Sequence, residues 1–306
     1  MPAAPALRLS RPAGAAPLLW VVLIGSLWGL NWPAVKFMLT EMPPLTIRAV
    51  AFPLAALLLA AIVRCKGQPL RLARADWLPV VVTGALIIFG FNALTTLGQT
   101  LTETSRAAII AYTMPALTAV LAAIFLRERL DARKLIALAI GMAGLAVLAS
   151  ENFAALRAAP LGPLIMLGAA LSWAGGNVAL KARQWSLPPL ALTVWFFVVA
   201  SVLCWPLVLV FEPPWQQQWP SPPVLLTLAF HVLGPMVVCY TLWTAMVGLL
   251  PATVAAIATL LAPVVGVAAS VVLLGDAATW QKGVALTMIL LSIGLTLRKT
   301  PASAQT

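Results

Sequence analysis

Two stretches of the sequence, residues 114–134 (MPALTAVLAAIFLRERLDARK) and residues 262–282 (APVVGVAASVVLLGDAATWQK), follow one pattern at a spacing of 148 positions. Each has proline in second place, then an apolar run, then an acid followed six positions later by lysine. A second match, at a spacing of 145 positions, pairs Trp28 with Trp173. Two apolar halves can resemble each other through composition alone, but proline, acid and lysine in register indicate an internal duplication.

The composition places the duplicated chain in a membrane. Apolar residues make up 62% of the 306 residues and charged residues 9%, against roughly 25% charged in a soluble domain. A soluble protein of this composition would lack the polar surface to cover its core. The roughly 190 apolar residues suffice for nine or ten spans of about 20 residues each. A soluble enzyme, a secreted disulfide scaffold and a disordered chain are therefore excluded.

Long apolar runs, separated by charged or proline-rich breaks, predict ten transmembrane helices. The runs do not alternate polar and apolar residues, so they are not strands of a barrel, and the first is expected to be a full span and not a cleaved signal peptide. The predicted spans are 17–38, 44–63, 77–98, 104–126, 134–150, 161–180, 190–211, 223–247, 252–274 and 282–297. We therefore expect an all-α polytopic membrane protein. Because each half holds five spans, an odd number, the two repeats are expected to be inverted in the membrane.

The excess of basic residues predicts the orientation of these spans. The net charge is +11, and cytoplasmic connections of membrane proteins retain Lys and Arg. With the N-terminus in the cytoplasm, 14 basic residues fall on inner segments and 4 on outer ones, with Arg48 inside the second span. Both termini are therefore predicted to be cytoplasmic. Binding to nucleic acid is not expected, because the basic residues are spread over the inner connections and do not cluster on one domain.

A family resemblance rests on the segment from Ala107 to Leu148. Its motifs are Met-Pro at 114–115, Leu-Arg-Glu-Arg-Leu at 126–130 and glycines at 141 and 144. With them the segment resembles an EamA repeat of the drug/metabolite transporter superfamily, and residues 25–33 (GSLWGLNWP) look like the start of such a repeat. The second half is more degenerate, with Gly-Asp at 275–276 where the family usually has Gly-Glu.

The resemblance covers residues 17–150 and 161–299 as two five-helix repeats, and it implies a transporter of the bacterial inner membrane. Within the family the chain is similar to the YddG-type aromatic amino acid exporters. Only this narrower resemblance suggests a substrate.

Polar and aromatic side chains inside the spans are the candidates for contact with a solute, because polar groups in hydrocarbon usually face the bundle interior or a wet cavity. The candidate substrate-binding residues are Trp28, Asn31, Asn92, Tyr112, Trp173, Asn177, His231, Tyr240 and Trp243. Aromatic walls with a few polar groups suit a solute with an apolar body and a polar end. Hydrogen bonding between helices is the alternative for the asparagines. For His231 a structural hydrogen bond and a proton-transfer role both stay open, and Arg48 is expected to extend to the outer surface.

The acidic residues are all predicted to lie outside the spans, although proton-coupled antiporters commonly place an acid within the membrane. They are Glu41, Glu103, Glu151, Glu212 and Asp276 on outer segments and Asp76, Glu128 and Asp131 on inner ones. Uncoupled transport is therefore favoured, with proton coupling through His231 as the alternative. The cavity is expected to be aromatic and near neutral.

Prolines inside the predicted spans mark candidate gates, because proline removes a backbone hydrogen bond and kinks a helix. They are Pro33, Pro115, Pro235 and Pro263. Pro115 and Pro263 are equivalent in the repeat, so the spans that hold them are expected to alternate as gates. Close packing without movement is the alternative.

These features favour the export of amino acids or similar small amphipathic metabolites by alternating access, with aromatic or hydrophobic amino acids implied by the resemblance. Proton-coupled efflux of drugs, purines or other metabolites is the alternative, and a membrane receptor stays open. An intramembrane enzyme is disfavoured, because the sequence has no HExxH, GxSxG or GxxxxGK[ST] motif. No cofactor or metal is expected. The expected partners are a small-molecule solute and the lipid bilayer, and the chain is expected to work as a monomer.

Overall fold

The chain folds into a bundle of helices in the computed structural model, which describes residues 16–102, 104–150, 161–274 and 278–297. All regular elements within these ranges are helical, as the sequence predicted. They are labelled α1 (Ala16–Met38), α2 (Pro44–Cys65), α3 (Arg74–Leu101), α4 (Thr104–Ala111), α5 (Met114–Phe125), α6 (Ala132–Ser150), α7 (Leu161–Lys181), α8 (Pro189–Phe211), α9 (Pro222–Leu249), α10 (Ala252–Ala258), α11 (Leu261–Leu274) and α12 (Trp280–Leu297).

Six of the described helices are long and apolar enough to cross a membrane, namely α1, α2, α3, α7, α8 and α9. The predicted spans 104–126 and 252–274 differ from expectation, because each is broken into two helices, α4 with α5 and α10 with α11. Pro115 and Pro263 lie in the first turns of α5 and α11. Proline lacks an N–H and is tolerated there. The prediction that these two prolines kink continuous spans was therefore wrong: each lies at the start of a new helix.

Helices α3 and α9 each contain a π-helical segment, at residues 85–90 and 232–239. In this geometry each N–H bonds the carbonyl five residues back, and such segments are frequent at functional sites. Pro235 lies within the second segment, and Pro33 lies inside α1, which continues to Met38. Because α3 and α9 are the third helices of their halves, the two π segments occupy equivalent places in the chain.

The two halves of the chain make matched contacts. Helix α2 packs on α8, and α6 packs on α12. Helix α1 packs on α11 and α9, just as α7 packs on α5 and α3. Exchanging the first six helices with the last six leaves this pattern of contacts unchanged.

Glycines allow α1 and α7 to approach their neighbours closely. A Cβ added at Gly29 would lie 2.6 Å from the carbonyl oxygen of Ala262 in α11. A Cβ added at Gly176 would lie 2.8 Å from the Cβ of Ile87, in the π segment of α3. Small residues permit such backbone contacts between membrane helices. These contacts hold α1 and α7 in the centre of the bundle.

The bundle is apolar outside and carries polar groups inside. Leu57, Val210 and Leu226 are 68% to 73% exposed, an arrangement suited to hydrocarbon and costly in water. In contrast, Arg48 and His231 are buried, together with several Asn, Gln and Thr side chains. Arg48, His231 and several of these buried polar groups surround the site described next.

Candidate functional site

A cavity lies at the centre of the bundle, between α1, α2, α3, α7 and α9. Its lining residues are Trp28, Asn31, Trp32, Val35, Arg48, Phe91, Asn92, Thr95, Gln99, Tyr112, Met114, Trp173, Met236 and Tyr240. The cavity has a volume of about 40 Å³, enough for a few water molecules. Pockets that hold small ligands measure roughly 300 Å³ or more. With the side chains in these positions, the cavity is therefore smaller than a typical ligand pocket.

Six of the nine predicted substrate-binding residues line this cavity, and three lie behind it. The lining ones are Trp28, Asn31, Asn92, Tyr112, Trp173 and Tyr240. Trp243, Asn177 and His231 each contact a lining residue without lining the cavity themselves. Polarity and position within a span do not distinguish a cavity wall from the layer that supports it.

The aromatic wall is a cluster of rings from α1, α7 and α9. The ring centroid of Trp28 lies 5.3 Å from that of Trp173 and 5.5 Å from that of Tyr240. Trp243 packs on both tryptophans, with its centroid 5.6 Å from Trp28 and 5.3 Å from Trp173. Phe91 of α3 completes the wall at 4.7 Å from Trp173. The rings thus form one continuous surface, which suits an apolar or aromatic solute.

The indole N–H groups at this wall differ in their partners. Trp28 donates to the carbonyl of Pro235 at 3.3 Å, and Trp32 donates to the Tyr112 hydroxyl at 2.8 Å. Trp243 donates to Oδ1 of Asn177 at 2.7 Å. Trp173, in contrast, is 1% exposed and its Nε1 has no partner among the described residues. Buried indole groups usually find an acceptor, so this unpaired donor beside the cavity is unusual.

Arg48 reaches inward, so the prediction that it extends to the outer surface was wrong. Its side chain is 1% exposed. The Nε atom donates to Oγ1 of Thr96 at 2.6 Å and to the Asn92 carbonyl at 3.2 Å, and Nη1 lies 2.7 Å from Nε2 of His231. Because α2 packs on α3 and α9, these polar groups hold Nε and Nη1 of the guanidinium inside the bundle.

The cavity therefore carries a positive charge, and the prediction that it is near neutral was also wrong. The ion pairs found among the described residues join Lys134 to Glu128 and Asp131, and Arg183 to Asp76. None of them involves Arg48, whose partners are all uncharged or, for His231, held neutral as described next. Of the acids, Glu103, Glu151 and Asp276 lie outside the described residues.

His231 is fixed between two side chains of opposite hydrogen-bonding character. A guanidinium only donates, so Nε2 of His231 accepts from Arg48. The other ring nitrogen, Nδ1, must then carry the proton, and it donates to Oδ1 of Asn31 at 2.6 Å. In this arrangement the histidine is a neutral link that orients Arg48 and Asn31.

The amide of Asn92 links the π segment of α3 to the aromatic wall. Its Nδ2 donates to the carbonyl of Ile88 at 2.8 Å and lies 2.6 Å from the Tyr240 hydroxyl. Ser172 of α7 bonds a second carbonyl of the same segment, that of Leu86, at 2.7 Å. Side chains thus satisfy carbonyl groups of the irregular backbone, and the cavity wall is held in place through them.

Sequence reasoning missed Gln99, although a signal was present. Asn92, Thr95, Thr96 and Gln99 follow the spacing i, i+3, i+4 and i+7, which places them on one face of α3. Gln99 is 2% exposed, lines the cavity, and its Oε1 has no partner among the described residues. Trp32, one turn after Trp28, was missed in the same way, whereas Phe91 and Met236 carried no polar signal.

Comparison with solved structures supports this architecture. One crystal structure aligns with a TM-score of 0.71 over 90% of this chain and 96% of the other. The two sequences are 22% identical, so the comparison shows a shared fold.

Curated relatives are transporters by name. The chain is 30% identical over 279 residues to a probable amino-acid metabolite efflux pump of Salmonella typhimurium, covering 89% of this chain and 90% of that protein. It is 23% identical over 196 residues to the uncharacterized transporter YoaV of Bacillus subtilis, covering 64% of this chain and 67% of that protein. The family model of EamA-like transporters matches residues 15–150 and 160–298. With both halves matched, the chain belongs to the EamA-like transporter family.

Proposed function

We propose that this protein exports amino acids or similar small amphipathic metabolites across the bacterial inner membrane, with aromatic and hydrophobic amino acids favoured. The observation that carries the proposal is the central cavity, which combines an aromatic wall with buried polar groups that have no partner among the described residues. Trp173 offers a donor and Gln99 an acceptor. Membrane proteins usually satisfy such groups internally, so their position suits a polar solute. The efflux-pump relative supports the same class of substrate.

Transport by alternating access follows from a two-fold arrangement, which we propose as ten transmembrane helices in two inverted five-helix repeats. The matched contacts of the two halves support this arrangement. In it, α4 with α5 forms one span and α10 with α11 another. Inverted repeats of this kind rock around a central site. Cytoplasmic termini follow from the charge of the inner connections, and a single chain contains both halves of the cavity.

The broken spans are the proposed gates. Tyr112, at the break between α4 and α5, receives the hydrogen bond from Trp32 and lines the cavity. At a break the helical hydrogen bonding is interrupted, so the chain can change direction there, as in the discontinuous helices of other transporters. Pro33 and Pro235 are the proposed hinges inside α1 and α9, and Pro115 and Pro263 the proposed hinges at the breaks. Movement at these points would widen the contracted cavity.

We further propose that transport is not coupled to protons. The described acids lie in connections or at helix termini, outside the middle of the spans. His231 is engaged at both ring nitrogens, and protonation of Nε2 would oppose a positive charge to Arg48 at 2.7 Å. A cycle of proton binding at this histidine would therefore break the contact that orients the cavity.

The test is flux into liposomes that contain only the purified protein. Unlabelled phenylalanine, leucine, adenine or a cationic dye is preloaded in turn, and uptake of the same labelled compound in exchange is followed with and without a pH gradient. We expect exchange of phenylalanine and leucine that a pH gradient does not accelerate. Absence of amino acid exchange would refute the proposed substrate class, and uphill accumulation driven by the gradient would refute uncoupled transport. A Pro115→Ala variant that exchanges at the parent rate would refute the proposed hinge.

A further inference from the structure

We infer that Arg48 is the anchor for a carboxylate group of the transported solute, so that the cavity selects carboxylate-bearing apolar molecules over the corresponding amines. This inference rests on the proposed function and identifies the carboxylate as the group of the solute that the cavity recognises. It starts from a charge without a counter-charge. Arg48 is 1% exposed, and none of the ion pairs among the described residues includes it. A buried charge is costly unless it is paired.

The partners of Arg48 hold it in place without neutralising it. They are the Thr96 hydroxyl, the Asn92 carbonyl and the neutral His231 ring. These bonds use Nε and one position on Nη1, while Nη2 makes no hydrogen bond with the described part of the chain. Arg48 also lines the cavity. Its free edge matches the two oxygens of a carboxylate, which arginine binds through paired hydrogen bonds.

Asn92 links the guanidinium of Arg48 to the aromatic wall. Asn92 accepts from Arg48 through its carbonyl and contacts the Tyr240 hydroxyl through its amide. Tyr240 packs against Trp28 and Trp173. A carboxylate held by Arg48 would therefore direct an apolar or aromatic side chain onto these rings. A solute with an amine in place of the carboxylate would bring a second positive charge to the same position.

The experiment measures binding by thermal unfolding of the purified full chain, separately from transport. Three related probes are used: 3-phenylpropionate, which has only the carboxylate; phenethylamine, which has only the amine; and phenylalanine, which has both. We expect the two carboxylates to stabilise the protein at concentrations at least about tenfold below those at which phenethylamine does. Equal stabilisation by phenethylamine would overturn the inference.

Two charge-removing variants locate the effect. Arg48→Gln removes the guanidinium; because it also leaves Nε2 of His231 buried without its donor, the variant is expected to melt below the parent, and each probe is scored by the shift from the variant's own melting temperature. Lys36→Gln is the matched control, since Lys36 bonds the Gln99 carbonyl at 2.9 Å and does not line the cavity. We expect the preference for carboxylates to fall to within about twofold in Arg48→Gln and to persist in Lys36→Gln. A preference that persists in Arg48→Gln would overturn the inference.

Arg48→Lys guards against a folding defect in the first variant. Lysine keeps the charge and loses the paired geometry, so an intermediate preference is expected, and a preference equal to that of the parent would count against paired binding. The proposed function fails separately, when liposomes show no amino acid exchange. Carboxylate-specific stabilisation that depends on Arg48 in a protein without exchange would uphold the anchor and refute the export function.

Discussion

Replacing Trp173 with phenylalanine should weaken solute binding while leaving the fold intact. The substitution removes the indole N–H that lacks a partner among the described residues and keeps an aromatic ring in the wall. A single hydrogen bond to a solute is worth about 1 kcal/mol, which corresponds to roughly a fivefold rise in Kd. Trp243→Phe is the matched control, because Trp243 is equally buried, belongs to the same cluster and does not line the cavity.

Stability should rank the two variants in the reverse order: Trp243→Phe, the control that keeps solute binding, should be the less stable protein. Trp243→Phe leaves Oδ1 of Asn177 buried without its donor at 2.7 Å, and an unsatisfied buried group costs about 1 to 3 kcal/mol. Trp173→Phe leaves no protein acceptor without its donor, because the indole N–H that it removes has no partner among the described residues. Only the smaller size of the ring therefore affects the stability of this variant. We therefore expect Trp243→Phe to be less stable than Trp173→Phe by about 1 to 3 kcal/mol.

Equilibrium binding of labelled phenylalanine and thermal unfolding in detergent measure the two effects on the same preparations. The expected result is weaker binding with near-parental stability for Trp173→Phe, and lower stability with near-parental binding for Trp243→Phe. If Trp173→Phe binds phenylalanine as tightly as the parent, the free N–H does not serve the solute. If both variants lose the same stability, the difference between their hydrogen-bond partners has no energetic consequence.

Three further predictions concern the scaffold. Gly29→Ala should lower the free energy of unfolding by about 1 to 3 kcal/mol, because its Cβ would lie 2.6 Å from a backbone carbonyl of α11. Gly283→Ala is the control, since Gly283 has open space around it, and it should be neutral or stabilising by up to about 1 kcal/mol. Thermal unfolding compares the two variants. Asp76→Asn should cost about 2 to 3 kcal/mol by the same assay, since Asp76 is buried and forms an ion pair and hydrogen bonds with the connection between α7 and α8. Hydrogen bonds from the Ser221 amide and hydroxyl lower the pKa of Glu41, so its stabilising contribution is present above the ordinary carboxyl pKa and is lost as the pH falls through the lowered value. The stability difference between the parent and Glu41→Gln should therefore shrink on acidification, and a constant difference would contradict this assignment.

The sequence predicted the helices because each is a long apolar run, and lipid allows a spanning chain few other structures. It also predicted which side chains would gather near the centre, since polar and aromatic residues in hydrocarbon face inward. The breaks at 112–113 and 259–260 were not predicted. Hydropathy is continuous across them, and proline was interpreted as a kink where it begins a helix.

Composition and periodicity by themselves determined an all-helical membrane protein with duplicated halves and an aromatic interior, because these properties depend on residue type and spacing along the chain. The tertiary structure decided the direction of Arg48, the tautomer of His231 and the lack of a partner for the Trp173 N–H among the described residues. Each of these depends on which helix lies opposite. An arginine one turn inside a span is long enough to reach either the membrane surface or the interior, and the packing of α2 against α3 and α9 places acceptors within its reach on the inner side.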